Sequence, residues 1–112
     1  MEYTGLCGKI EEKIAECREK YERDREDPYR SHVWNSELET LENLYERIRK
    51  EGLSPALSAN LEVRLAELEE DKEREEAAPS FSWYGDHYNY LVLEGVCSAY
   101  RDVTELLKEN EK

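Results

Sequence analysis

Apolar residues recur at helical spacing in four separate stretches of the chain. Leu6, Ile10, Ile14, Cys17 and Tyr21 step by four, four, three and four, the repeat of one helix face. A second stripe, Trp34, Leu38, Leu41, Tyr45 and Ile48, alternates four and three, and Leu44 widens it. The third is Leu57, Leu61, Leu65 and Leu68. The fourth runs through Tyr88, Val92, Val96, Ala99, Val103 and Leu106, with Leu93, Cys97, Tyr100 and Leu107 beside it. It is the broadest and most apolar face, which predicts that the last helix is the central one.

Punctuation residues bound these stripes. Pro28 disfavours helix at Asp27 and ends the first. Ser36 and Glu39 fit a capping box for the second, with Ser31 as an earlier start. Gly52 suits its C-terminal end, and Ser54-Pro55 is a cap followed by a first-turn proline. The pattern therefore predicts a single all-α domain over residues 1–112. Its helices lie near 5–26, 32–51, 55–77 and 87–109, in a four-helix antiparallel bundle joined by short loops. After Leu68 the apolar residues stop, so residues 69–76 are expected to project as a solvated acidic helical arm.

The stretch from Ser80 to Tyr90, SFSWYGDHYNY, holds five of the eleven aromatic residues. Asp86 can cap a helix opening at His87. Tyr84-Gly85-Asp86-His87 also fits a two-residue type II′ hairpin, with strand-like alternation at Tyr88, Tyr90 and Val92. The helical stripe persists to residue 107 and favours the helix. Phe81 and Trp83 then read as a plug for one end of the bundle and Tyr88 as an inward residue. Tyr84, His87 and Tyr90 are left as candidate exposed contacts, a role aromatic residues fill at interfaces.

Charge narrows the function. The chain carries 28 acidic against 16 basic residues, a net −12. Only five of the acids are Asp, so the acidity is written in a good helix former. Such a surface repels nucleic acid and makes direct binding to it a poor expectation. It favours a basic protein partner. The longest aliphatic run is Leu91-Val92-Leu93, too short for a membrane span. The N-terminus has no signal-peptide pattern. The cysteines, Cys7, Cys17 and Cys97, show no framework spacing and read as free thiols, Cys7 and Cys17 as structural ones near the first stripe. A cytoplasmic location is expected, the host cytoplasm if the chain is phage-encoded.

Motifs for chemistry are sparse. There is no metal-ligand spacing, nucleophile elbow, Ser-His-Asp pattern or glycine-rich phosphate loop, so no catalytic residue, metal or cofactor is assigned. Most Glu residues fall on outer helix faces. Glu94, between Leu93 and Gly95, is the carboxylate that stands apart, and an enzyme built on Glu94 and His87 is the least supported reading.

Residues 62–76 hold eight acids and three bases, a net −5, over about 22 Å of helix. Duplex DNA of that length carries about 13 charges, so the arm is much the less charged. Glu62, Glu69, Glu73 and Glu76 nonetheless share one face, with Glu70 and Asp71 beside them, and such a row can lie where a groove expects phosphates. These six, with Tyr84, His87 and Tyr90, form the expected partner-binding set. In size and charge the chain is similar to phage-encoded inhibitors of nucleic-acid-handling enzymes, the anti-CRISPR and anti-restriction proteins, a likeness of kind carried by no motif. The expected function is a small acidic module docking on a basic surface of a nucleic-acid-binding protein. The competing expectation is a structural subunit or homodimer, gathered through surplus apolar surface at Leu91, Leu93 and Cys97.

Overall fold

The second helix is opened by Asp27 rather than by a serine. Its Oδ1 accepts hydrogen bonds from the backbone N–H groups of Tyr29 and Arg30 at 2.8 and 2.9 Å, satisfying donors that a helix start leaves open. In the computed structural model, which describes residues 3–77 and 88–110 and the side chains of 5–77 and 89–109, α1 is Tyr3–Arg23 and α2 is Arg30–Glu51. The capping box at Ser36 is therefore not used. Ser36 lies in the second turn of α2, where the helix has already begun. The third start is as expected: the Leu57 N–H donates to Ser54 Oγ at 3.0 Å, opening α3 at Pro55–Ala77. The last helix, α4, is Tyr88–Asn110. Residues 88–92 are helical, which overturns the strand alternation at Tyr88, Tyr90 and Val92. The proposed hairpin at 84–87, the cap at Asp86 and the plug at Phe81 and Trp83 lie outside the described residues. No strand occurs among the described residues.

Paired side chains fix the helix directions. Cys17 meets Trp34, Arg18 meets Glu42, and Glu11 meets Tyr45, so α1 and α2 are antiparallel. Glu62 meets Lys108 and Glu69 meets Arg101, so α3 and α4 are antiparallel. Ser36 meets Val92 and Glu37 meets Ser98, so α2 and α4 run the same way. The bundle is thus up-down-up-down, but its most extensive contact is the parallel pair α2 and α4. After it come α3 with α4 and α1 with α2, while α1 only grazes α4. Although only Gly52, Leu53 and Ser54 separate them, α2 and α3 make no close backbone approach. The expectation that successive helices pair therefore fails at that one join. Gly52, at φ 76°, turns the chain away there, and α4 already occupies the apolar face of α2.

A close approach explains why α4 wins that place. A Cβ on Gly95 would collide with Ser36 Oγ and the Val33 carbonyl, and would stand 2.9 Å from the Glu37 N. Only glycine lets the two backbones come so near. Buried Ala99, one turn on, keeps the seam narrow. The Ser36 hydroxyl sits 3.1 Å from the Val33 carbonyl and 3.0 Å from the Val92 carbonyl, tying one helix to the other.

The core contains Leu6, Ile10, Ile14 and Cys17 from α1, Leu41, Leu44 and Ile48 from α2, Leu57 and Leu61 from α3, and Ala99, Val103, Leu106 and Leu107 from α4. The α1 stripe is as predicted through Cys17, while Tyr21 is only half-buried and outside the core. The α2 face is turned by about one residue: Leu44 is buried, while Leu38 and Tyr45 only flank the core. That rotation carries Glu37 inward. Leu91 and Cys97 are both buried within this one chain, so they do not offer the surplus apolar surface expected of a dimer interface. Cys7 is half-buried and Cys17 fully buried. No helix among the described residues is long and apolar enough to cross a membrane.

Candidate functional site: the groove between α3 and α4

Glu62, Glu69 and Glu76 are seven residues apart, one face of a helix at every second turn. On the facing edge of α4 stand Lys108, Arg101 and Glu94, also seven apart. The antiparallel register pairs them in sequence. Lys108 Nζ lies 3.3 Å from Glu62 Oε1. Arg101 donates to Glu69 Oε1 at 3.3 Å. The same register sets Glu76 opposite Glu94, and there the alternation of charge ends with an acid on each helix. Both carboxylates act on the Tyr90 hydroxyl, whose pKa is raised by burial first and by Glu76 and Glu94 next.

Tyr90 forms the floor of this end. It is 8 % exposed, with the Lys72 ammonium 5.5 Å from its ring centre, within the range of a cation–π contact. Glu69, Lys72, Glu73 and Glu76 of α3 and Tyr90 and Arg101 of α4 enclose a shallow polar groove of about 290 Å³. On α3 these positions recur every three or four residues. On α4, Tyr90 and Arg101 are eleven apart, close to three full turns, so both face α3.

The expected site residues thus divide. Glu69, Glu73, Glu76 and Tyr90 are brought to one groove. Glu62 lies two turns away and is engaged by Lys108. Glu70 and Asp71 turn outward and share Arg74, at 3.9 and 3.0 Å. Tyr84 and His87 lie outside the described residues. Two expectations need correction. Tyr90 is not an exposed contact, because the α3 turn carrying Lys72 covers it. The row Glu62, Glu69, Glu73, Glu76 is not uniformly solvated, because bases on α4 neutralise its first two members. Lys72 and Arg101 were missed, and the seven-residue spacing of Glu94, Arg101 and Lys108 was the signal for Arg101. Glu94, half-buried, stands beside the groove rather than lining it, close enough to act on the Tyr90 hydroxyl.

A second polar cluster was missed altogether. Glu37 is buried in α2, where Ser98 Oγ donates to its Oε1 at 3.0 Å. The Cys17 thiol donates to the Trp34 carbonyl at 3.3 Å and also faces Glu37. Burial, with the Glu37 charge second, pushes the Cys17 pKa up to about 12, so this thiol stays protonated and unreactive. The signal for Glu37 was its spacing: 37, 41, 44 and 48 step by four, three and four, the true buried face of α2. Among the described residues no group of His, Cys, Asp and Glu has the geometry to hold a metal ion. No protein-family model, curated protein or solved structure matches this chain.

Proposed function

We propose that the chain is a protein-binding module whose α3/α4 groove receives a basic side chain from a partner protein. One observation carries this reading. The α3/α4 edge alternates acid and base at Glu62–Lys108 and Glu69–Arg101, then presents Glu76 and Glu94 at the position where the next base belongs. Glu73 and Glu76 are both exposed beside it. An incoming lysine or arginine would complete the series at the rim, above the Lys72 side chain that covers Tyr90. Arg suits such a site best, since its planar fork can meet two carboxylates together. In its most specific form the partner is a nucleic-acid-handling protein, whose basic surface would meet carboxylates where it ordinarily meets phosphates. The net −12 would speed that encounter and make it salt-sensitive.

Glu76→Lys is the decisive substitution. It supplies the missing base from within the chain, so the fold should be kept or slightly stabilised while the partner's side chain is excluded. Wild type and variant serve as baits in extracts of the native host at low salt, with retained proteins identified by mass spectrometry. A basic nucleic-acid-handling protein held by wild type and lost by the variant supports the reading. Equal retention by both baits, or no basic protein on either, refutes it.

A further inference from the structure

The two oxygens of Glu37 have unequal surroundings. Oε1 accepts the Ser98 hydroxyl, and Oε2 is sealed from solvent with no hydrogen-bond partner among the described residues. A carboxylate offers about four acceptor sites, and burying it ionised costs far more than burying it neutral. The groups around it do not make up the difference. From α1 come the Cys17 thiol and the Lys20 ammonium, which stands 5.1 Å from the Trp34 ring centre. From α4 come Ser98 and Asp102, itself among Lys13, Lys20, Arg101 and Glu105. On α2 itself, the neighbouring Ser36 hydroxyl is occupied by two carbonyls. One nearby cation is thus set against a second half-buried carboxyl. Burial pushes Glu37 upward, and the Ser98 hydrogen bond, the Lys20 charge and the Cys17 thiol together only partly oppose it. Burial likewise raises Asp102.

The seam beside Glu37 has no slack. Gly95 meets α2 so closely that even a methyl group will not fit. Water can reach Oε2 only if one of the helices packed around it moves away.

We propose that the meeting of α1, α2 and α4 around Glu37 is a protonation-dependent latch, closed while the carboxyl holds its proton and loosened when the proton leaves to solvent and water enters to solvate the carboxylate. The sign follows from linkage. The folded state binds this proton more tightly than the unfolded state, so closure is favoured at low pH and weakens as pH rises through the Glu37 midpoint.

The test combines two measurements on the full chain. Carbon-detected NMR follows the Glu37 side-chain carboxyl through a pH titration, and its midpoint should lie above that of an ordinary glutamate. Amide hydrogen exchange at Thr40, Leu41, Ala99 and Val103 is then compared at pH 5 and pH 8, after removing the intrinsic base dependence. Exchange should be faster at the higher pH, by about tenfold for each unit by which the Glu37 midpoint lies above pH 5. Glu37→Gln keeps the shape and should remove this excess. An ordinary midpoint for Glu37 in the wild-type chain overturns the latch, whether or not the variant folds. So does excess exchange that persists in a folded Gln variant.

Discussion

Two glycines in helices of this chain have opposite meanings. A Cβ at Gly8 would meet no atom within 4 Å, whereas one at Gly95 would strike a backbone carbonyl that cannot yield. Gly8→Ala should therefore stabilise the protein by about 0.5–1 kcal/mol, the ordinary helix preference for alanine. Gly95→Ala should destabilise it by at least about 3 kcal/mol, the upper range for overpacking a seam. Urea denaturation of the two variants checks both, and similar effects would mean that the α2/α4 approach is not so tight. Asp24 gives a second contrast, this time with Glu37. Its Oδ2 accepts the Trp34 indole N–H at 2.7 Å. The Arg23 guanidinium first, and Trp34 second, hold its pKa down to about 2. A carboxyl depressed on folding contributes stability above the usual range near 4, and loses it as pH falls toward 2. Glu37 works in the opposite sense, favouring the fold at lower pH. Stability should thus fall from pH 5 to pH 2.5, and Asp24→Asn should flatten that fall in thermal melts. An unchanged slope in the variant would remove Asp24 from the account.

Among the helices, α3 is the least committed. It makes its backbone contacts with α4 alone, and its buried side chains are Leu57, Ser58, Leu61 and Leu68. Under it lies Cys97, 1 % exposed and within the fields of Lys72, Glu69 and Asp71 of that helix. Its thiol therefore reports whether α3 is in place. Leu61→Ala should cost about 2–5 kcal/mol, as a cavity in the core does. It should also speed maleimide labelling of Cys97 while leaving Cys17, between α1 and α2, slow. Peptide mapping of the label distinguishes the two, and equal acceleration at both would mean that the bundle opens as one unit. Helix positions were legible in the sequence: the α1 stripe from Leu6 to Cys17 and the start of α3 at Ser54-Pro55 stand as read. Helix partnership was not. The stripe through Trp34, Leu38 and Tyr45 missed the buried face of α2 by one residue, because a glycine and a serine at the seam carry no hydrophobic signal. The same blindness hid Glu37, which is polar by type and buried by position. Within the groove, Glu69, Glu73 and Glu76 were legible from their shared face. Their bases on α4 were not, because a spacing within one helix does not say which helix will stand beside it.

Across the whole molecule, the helix pair with the greatest contact is also widely separated along the chain. Ser36 reaches Val92 and Glu37 reaches Ser98, spans that enclose all of α3. The other two strong pairs, α1 with α2 and α3 with α4, are hairpins of successive helices. Local hairpins close early and long-range contacts late, because a longer loop must first be ordered. Folding is then the docking of two helical hairpins along the Gly95–Ser36 seam. The short link Gly52-Leu53-Ser54 acts in that step as a tether rather than as a joint, since α2 and α3 do not press on one another. A tether contributes effective concentration and nothing else. If that is its whole role, the chain can be divided there. Fragments 1–53 and 54–112, mixed at sufficient concentration, should reassemble into a one-to-one heterodimer with the helix content of the intact protein. Each hairpin alone should show less.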